Sequence, residues 1–520
     1  MKAELVQSDY RPVELKKGIV HNGSAYYPSD SFEGFEVVEL KGSSELAEVR
    51  VTEDTLRQSK QALVFYSTKR NAEAGAMRLA QCVESALSEK EKTELEKVGE
   101  QIYRVLERPT EQCKKLSLLA KKGIAFHHSG LLNAQRTYVE NAFKANLLKV
   151  ICATTTLGYG VNLPAHTVLV RDIRRFDDGA NEMLGINEVL QLFGRAGRPA
   201  YDKEGRAFII ANSYDRIQRL YESYITASPE PIQSKLGMAP VLRSHVLAFI
   251  AEDFMNDKKS INNFMSKSFY SFQYGDSKHI KNVIDDVLED LERWGFIETI
   301  KEGVLKKYYR ATRIGKRISE LYIDPLSAKW LIDSLSKAND PIGVLYMISN
   351  TIEMRPYVKA TQEAEDQFAA YMHFNKDKII GSAYETIDYY YDPVKAFSTA
   401  MMLNEWIGEN QEQQIIKKYS TTPGLLYSKL LNADWLMYAS IELAKLMHVS
   451  QHQLINTRVR LRYGIKEELL DLIRLEQIGR VRARALYTNG IKSVADIRAN
   501  HASAERILGK DIAAKVFAQI

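Results

Sequence analysis

Five short, largely apolar runs in the first 210 residues set the tightest limit on the fold. They are Leu63-Val64-Phe65-Tyr66, Ile124-Ala125-Phe126-His127, Val150-Ile151-Cys152-Ala153, Thr167-Val168-Leu169-Val170 and Ala207-Phe208-Ile209-Ile210. None alternates apolar with polar side chains, so each reads as a strand buried on both faces. Helix-like stretches follow the first run from Asn71 and the second from about Asn133 to Asn146. Strands separated by helices make βαβ units, and these require a parallel sheet. Ligands of such sheets gather beyond the carboxyl ends of the strands. Ser67-Thr68, His128-Ser129-Gly130 and Thr154-Thr155-Thr156 each follow a run directly, which predicts one shared site. Ahead of them, Val13 to Tyr26 predicts a hairpin turning at Asn22-Gly23.

One segment carries the most specific chemistry: Gln191-Leu192-Phe193-Gly194-Arg195-Ala196-Gly197-Arg198-Pro199. Arg195 and Arg198 have planar, permanently charged forks suited to phosphate oxygens. Their spacing predicts one face of a helix start, open to solvent. Gly194 and Gly197 remove side chains where a ligand or backbone comes close. An arginine brought to a γ-phosphate stabilises charge during phosphoryl transfer. Yet no Gly-x-x-x-x-Gly-Lys-Ser/Thr loop occurs in the 520 residues. Gly315-Lys316-Arg317 and Gly509-Lys510-Asp511 lack both the glycine spacing and the hydroxyl. The chain thus reads as half of an ATPase site. A second segment, Ala153 to Pro164, offers hydroxyls and glycine-adjacent N–H groups at a strand end, which suit nucleic-acid phosphates.

Charge adds a direction. The chain carries a net +5, but from Ile455 to Ile520 thirteen Lys and Arg face seven Asp and Glu. A basic terminal region suits an anionic polymer. No run of about 18 apolar residues predicts a membrane span. The Met1-Lys2-Ala3-Glu4 start has no apolar signal region, so a cytoplasmic protein is expected. Cys82, Cys113 and Cys152 are too scattered for a zinc or disulfide framework. His127-His128 predicts no metal site, because neighbours on a strand point to opposite faces.

Ser228-Pro229-Glu230-Pro231 marks a break, after which the pattern is helical. Ile280, Val283, Ile284, Val287, Leu288 and Leu291 form a helical stripe. Trp294-Gly295-Phe296-Ile297 then starts a strand, and Gly303 punctuates a return through Lys306 to Arg310. Helices followed by a β-hairpin suggest a winged helix. Asp324-Pro325 opens a long helical stretch to about Val449, which includes the aromatic-rich Tyr384–Tyr391 and a helix carrying Trp435. A last helical region runs from about Gln451.

At this point the motifs together resemble the second RecA-like lobe of a superfamily 2 helicase. More narrowly, the chain resembles the archaeal superkiller-like DNA repair helicases, related to the helicase part of DNA polymerase theta. Leu63–Arg70 is similar to helicase motif IV, His127–Leu131 to motif IVa, Thr154–Pro164 to motif V and Gln191–Pro199 to motif VI. The resemblance covers nearly the whole chain. It implies an α/β RecA-like parallel-sheet lobe over 1–212, a winged helix over 213–322, an all-α ratchet domain over 323–449 and a helix-hairpin-helix-type DNA-binding domain over 450–520.

The resemblance also implies roles. Arg195 and Arg198 face the ATP phosphates, with Arg198 as the finger, and Gln191 couples nucleotide to DNA. Gly160 and Asn162 lie near the nucleotide. Ser67, Thr68, Arg70, His128, Thr154, Thr155 and Thr156 hold the strand. Arg171 to Gly185 falls where such helicases place a strand-separating hairpin, with Phe176 and Met183 as wedge residues. Trp435 stacks on a base of the translocating strand. Relatives can carry an arginine a few residues before this tryptophan; here Tyr427-Ser428-Lys429 stands nearby, with Lys429 as the substitute. Ile478-Gly479-Arg480 exposes N–H groups at a helix start to a phosphate, and Arg480, Arg482 and Arg484 add charge.

The first lobe of such a helicase carries the phosphate loop and the Asp-Glu box, and neither occurs here. The resemblance therefore implies a monomeric fragment or split-gene product. It would bind single-stranded and forked DNA but not turn over ATP without the missing lobe. ATP and Mg2+ belong to the complete enzyme, a 3′→5′ DNA helicase of repair. A non-catalytic nucleic-acid-binding protein with relic motifs, and an RNA helicase of the same group, remain open alternatives.

Overall fold

The computed structural model describes residues 8, 10–29, 34–158, 161–177, 180–199, 201–275, 277–302, 306–375 and 392–520; positions 175–177, 180, 181, 277, 302 and 306 are described by backbone alone. The chain divides into two compact units, Met1–Pro231 with Pro423–Leu425, and Ile232–Thr422 with Leu426–Ile520.

The first unit is built on an eight-stranded sheet. In chain order its strands are β1 (Glu14–His21), β2 (Ser24–Pro28), β3 (Phe35–Glu39), β4 (Ala62–Tyr66), β5 (Ile124–His127), β6 (Val150–Thr154) and β7 (Thr167–Val170). A separate hairpin, β8 (Arg174–Asp177) and β9 (Ala180–Met183), intervenes before the last strand, β10 (Glu204–Ile210). Laterally the order is β3-β2-β1-β10-β7-β4-β6-β5. Every pairing from β1 to β5 is parallel. All residues of β4, β5, β6 and β7 are buried, which explains their unbroken apolar character.

The expected all-parallel sheet is extended at one edge. Asn22 (φ 44°) and Gly23 (φ 79°) make a two-residue turn with both dihedrals positive, and this folds β2 back antiparallel on β1. β3 then pairs antiparallel with β2.

The second unit begins with helices and a two-stranded hairpin, β11 (Ile297–Glu302) with β12 (Lys306–Ala311). The stripe of the helix Ser277–Arg293 is inside: Ile280, Ile284, Val287, Leu288 and Leu291 are buried, with Val283 packed against them. Gly295, at φ 74°, turns the chain from this helix into β11. Gly303 and the Tyr384–Tyr391 segment lie outside the described residues. Asp324 starts the next helix by accepting from Leu326 N (2.8 Å), with Pro325 in the first turn, where no N–H is missed. The same carboxylate takes both forks of Arg243 (2.9 and 3.1 Å). One apolar core runs from Leu242 to Leu461. The segments 213–322 and 323–449 therefore share an interior, and the helix His452–Tyr463 joins it through Leu454 and Leu461. A separate small core holds Ile465 to Val516. Among the described residues, no helix is long and apolar enough to cross a membrane.

Candidate nucleotide and nucleic-acid sites

Because β4, β5 and β6 run parallel, the loops after them emerge on one edge of the sheet. Ser67, just past β4, donates its hydroxyl to Asp172 Oδ2 (3.0 Å) and its N–H to the same oxygen (3.1 Å). Thr68 caps the helix Lys69–Glu84 by accepting from Asn71 N (3.1 Å), and Arg70 is exposed on its first turn. Thr154 and Thr156 share a hydroxyl–hydroxyl bond of 2.9 Å at the end of β6. Thr155 is half-buried and Thr156 exposed. Asp172, which sequence reasoning missed, orders this edge: its carboxylate also pairs with Arg171.

His128 departs from its expected place. It is fully buried, stacked on Phe126 (ring centroids 5.3 Å apart), and its Nδ1 accepts from Gly130 N (3.1 Å). Its Nε2 lies 3.4 Å from Glu73 Oε1. The ring shapes the loop after β5 from inside rather than offering itself to a strand. His127 is also buried and meets Glu140 at 3.0 Å, on a different partner, as alternate strand faces require.

The arginine segment follows a helix end, not a helix start. The helix Ile186–Phe193 stops at Gly194, with Gln191 exposed on its last turn. Ala165 N donates to Arg195 O (2.9 Å) and Gly197 N to Ala165 O (2.7 Å), forming a short parallel bridge. Gly197 sits at φ 92° with Val13 so close that a Cβ would lie 2.7 Å from it, so only glycine fits. Arg195 Nη2 donates to Gly158 O (2.6 Å). The segment after β6 and the arginine segment are thus one joined structure. Gly160 lies outside the described residues, and Asn162 is exposed.

Arg198 does not stand open to solvent. Its Nε and Nη2 donate to the two oxygens of Asp202 (2.9 and 3.2 Å), and its Nη1 donates to Gln61 Oε1 (2.6 Å). Burial pushes the Asp202 carboxyl up, but hydrogen bonds from Arg198 and Lys60 outweigh this and bring it down to about 2. Among the described residues no group of three or more His, Cys, Asp or Glu gathers to hold a metal.

Within Arg171–Gly185, β8 pairs antiparallel with β9, with Arg174 opposite Met183 and Phe176 opposite Asn181. Leu184 N donates to Ile173 O (2.8 Å) and Tyr224 donates to Leu184 O (2.8 Å), which roots the hairpin. Met183 is 47% exposed; the Phe176 side chain lies outside the described residues.

In the second unit, Trp435 lies half-buried on the helix Pro423–Leu446, and its Nε1 donates to Leu321 O (3.1 Å). Leu431 (73% exposed) and Tyr438 (39% exposed) flank it at the i−4 and i+3 positions of the same face. Arg458 lies over the Tyr438 ring (5.1 Å) and is held by Asp434 (2.9 and 3.0 Å). Sequence reasoning missed Tyr438 and Leu431, though their helical spacing from Trp435 was a usable signal.

Lys429 is six residues from Trp435, about 120° round the helix at 3.6 residues per turn. It is only 3% exposed and donates to Met354 O (2.6 Å). Burial pushes its ammonium down to about 8. The lysine therefore ties two helical segments together and does not stand in for a strand-binding arginine. Lys429→Met is expected to keep single-strand affinity within about twofold, measured by fluorescence anisotropy; a loss of about tenfold would return Lys429 to the strand.

Near the C-terminus, Gly479 starts the helix Arg480–Thr488 with no side-chain cap on its first turn. The three arginines differ. Arg484 is committed to Glu409 (2.7 and 2.8 Å) and Glu468 (2.8 Å), and the Glu409 bond raises its already high pKa. Arg480 lies over the Trp406 ring (5.0 Å), and Arg482 donates to Gln477 O (2.7 Å). Arg484 is thus a structural brace, because its charge is already matched.

Residues 89–200 match the family described as "Helicase conserved C-terminal domain", and residues 342–464 match "Archaeal helicase, domain 4". A protein of Methanococcus vannielii titled ATP-dependent DNA helicase Hel308 is 33% identical, over 99% of this chain and 73% of the relative. The chain belongs to the Hel308 family. Hel308 proteins of Pyrococcus horikoshii (35% identical, 99% of this chain and 70% of the relative) and Methanocella arvoryzae (35%, 96% and 67%) agree. The Hel308 match spans both units, and "Helicase conserved C-terminal domain" contains the segment after β6 and the arginine segment that the Arg195–Gly158 bond joins.

Proposed function

We propose that this chain supplies the arginine side of the ATPase, and the strand-tracking surfaces, of a 3′→5′ DNA helicase that opens forked DNA in repair. The observation that carries the reading is the joining of Arg195 to Gly158 O and of Ala196 to Ala165. A change at the arginines on nucleotide binding is thereby transmitted directly to the Thr154–Thr156 edge. The phosphate loop and the Mg2+ site would lie on another lobe, since no such loop occurs in these residues. ATP bound there would meet Arg195 and Arg198, with Gln191 and Asn162 alongside.

In this reading residues 1–212 are the second RecA-like lobe. Residues 213–322, with the β11–β12 hairpin, form a winged helix, and residues 323–449 form the ratchet that presents Trp435. Residues 450–520 form a helix-hairpin-helix-type module that uses Arg480, Arg482 and the uncapped start at Gly479. Thr68, Arg70 and Thr154 to Thr156 would hold backbone phosphates, positioning the strand without reading its bases. The rooted β8–β9 hairpin, bearing Phe176 and Met183, would part the duplex.

The test is unwinding by this chain together with a polypeptide carrying a first lobe. Duplexes with a 3′ single-stranded DNA tail are expected to open, and those with a 5′ tail are not. Equal opening of 5′-tailed duplexes, or stronger opening on matched RNA tails, would contradict the proposal.

A further inference from the structure

Arg198 is held from two directions, by Asp202 and by Gln61. Asp202 accepts Nε–H and one Nη2–H, and also the Arg198 backbone N–H (3.0 Å). Gln61 accepts one Nη1–H. The amide of Gln61 cannot turn over, because its Nε2 spends both hydrogens on Phe143 O (2.8 Å) and Leu148 O (2.6 Å). Gln61 is 2% exposed and immediately precedes β4, so its acceptor is fixed to the sheet. The Asp202 side chain is fully buried, and Lys60 Nζ lies 2.7 Å from its Oδ1 while donating also to Tyr201 O (3.1 Å).

We propose that Asp202 and Gln61 are positioning residues that fix the plane of the Arg198 guanidinium for a phosphate, with Lys60 bracing Asp202 from its other side. The inference rests on the ATPase reading above. A guanidinium has five N–H donors. Three are taken by Asp202 and Gln61, leaving one on each terminal nitrogen to donate to phosphate oxygens. An arginine already held in one plane loses less freedom on meeting its ligand than one sampling many rotamers. The Lys60 contact gives the Asp202 carboxylate a second cationic partner beside Arg198. Asp202 stands four residues after Arg198, so the clamp travels with the motif, while Gln61 reaches it from the strand.

Side-chain NMR of the 520-residue chain labelled with 15N-arginine tests the clamp, with the Arg198 signal assigned by its loss in Arg198→Lys. The Arg198 Nε–H is expected to exchange with water at least about tenfold more slowly than an exposed arginine. Asp202→Asn is expected to bring it to the exposed rate while the thermal transition persists. Exposed-rate exchange in the unmutated chain would overturn the clamp, and this readout is independent of whether Asp202→Asn folds. With a first lobe supplied, Asp202→Asn is expected to lower kcat about tenfold and leave KM for ATP within about twofold. In an Arg198→Ala background it should add nothing, since its effect passes through that arginine. An equal loss in both backgrounds would overturn the positioning role. If Arg198→Ala left turnover unchanged although the Arg198 Nε–H of the unmutated chain is protected, the ATPase reading would fall, and with it the purpose of the clamp.

Discussion

Arg198→Ala is expected to lower ATP turnover by about 10³-fold or more once a first lobe is present, the usual scale for losing a transition-state arginine. The geometry explains why no neighbour replaces it. Arg195 is engaged with Gly158 O, and Lys60 is turned to Asp202 and Tyr201. Arg198→Lys should recover little, because an ammonium cannot bridge Asp202 and Gln61 while offering two further donors in one plane. Deletion of the guanidinium leaves the buried Asp202 carboxylate with Lys60 and the backbone N–H of residue 198. A stability loss of about 2–3 kcal/mol is therefore expected, readable as a lower urea midpoint. DNA affinity of the chain alone should stay within about twofold, which separates a catalytic loss from unfolding. Turnover within about tenfold of the unmutated enzyme would remove Arg198 from the reaction.

Trp435→Ala is expected to weaken single-stranded DNA binding by about 5- to 150-fold, the equivalent of about 1–3 kcal/mol for one stacked base. Half-burial and the Nε1–Leu321 bond give this tryptophan a packing role as well. Trp435→Phe separates the two contributions. It keeps an aromatic face while losing the N–H donor and the second ring of the indole, so affinity should stay within about threefold. The exposed neighbours Leu431 and Tyr438 lengthen the same face, and Arg458 over Tyr438 places a cation beside it. Unchanged affinity in Trp435→Ala, with an unchanged thermal transition, would make the residue part of the core alone.

The strands that organise the first unit were legible because β4, β5, β6, β7 and β10 lie within a covered parallel sheet and carry almost nothing but apolar side chains. β3 was not. Its sequence, Phe35-Glu36-Val37-Val38-Glu39, leaves Val37 and Val38 exposed, so burial does not reveal it. The order of the motifs was enough to suggest that strand ends and arginines belong together. The hydrogen bonds that decide what each side chain does were beyond sequence reading. Thr68 spends its oxygen on a helix cap, His128 is turned inward, Lys429 is tied to Met354, and Arg484 is matched by two glutamates. Lys429 and Arg484 meet partners far away in the chain, which tertiary packing alone brings to them, whereas Thr68 and His128 are engaged by the backbone of Asn71 and Gly130 close by. Asp202 was the exception within reach: an acid four residues past an arginine was visible in the sequence, but a coil carries no fixed period to interpret it.

This chain is proposed to hold the arginine half of an ATPase and not the half that carries the phosphate loop. DNA-stimulated phosphate release, measured on the purified 520-residue chain alone and again with a polypeptide carrying a first lobe, tests it most directly. No release above background from the chain alone, and recovery in the mixture that disappears with Arg198→Ala, is the expected result. Steady DNA-stimulated turnover by the chain alone would contradict it.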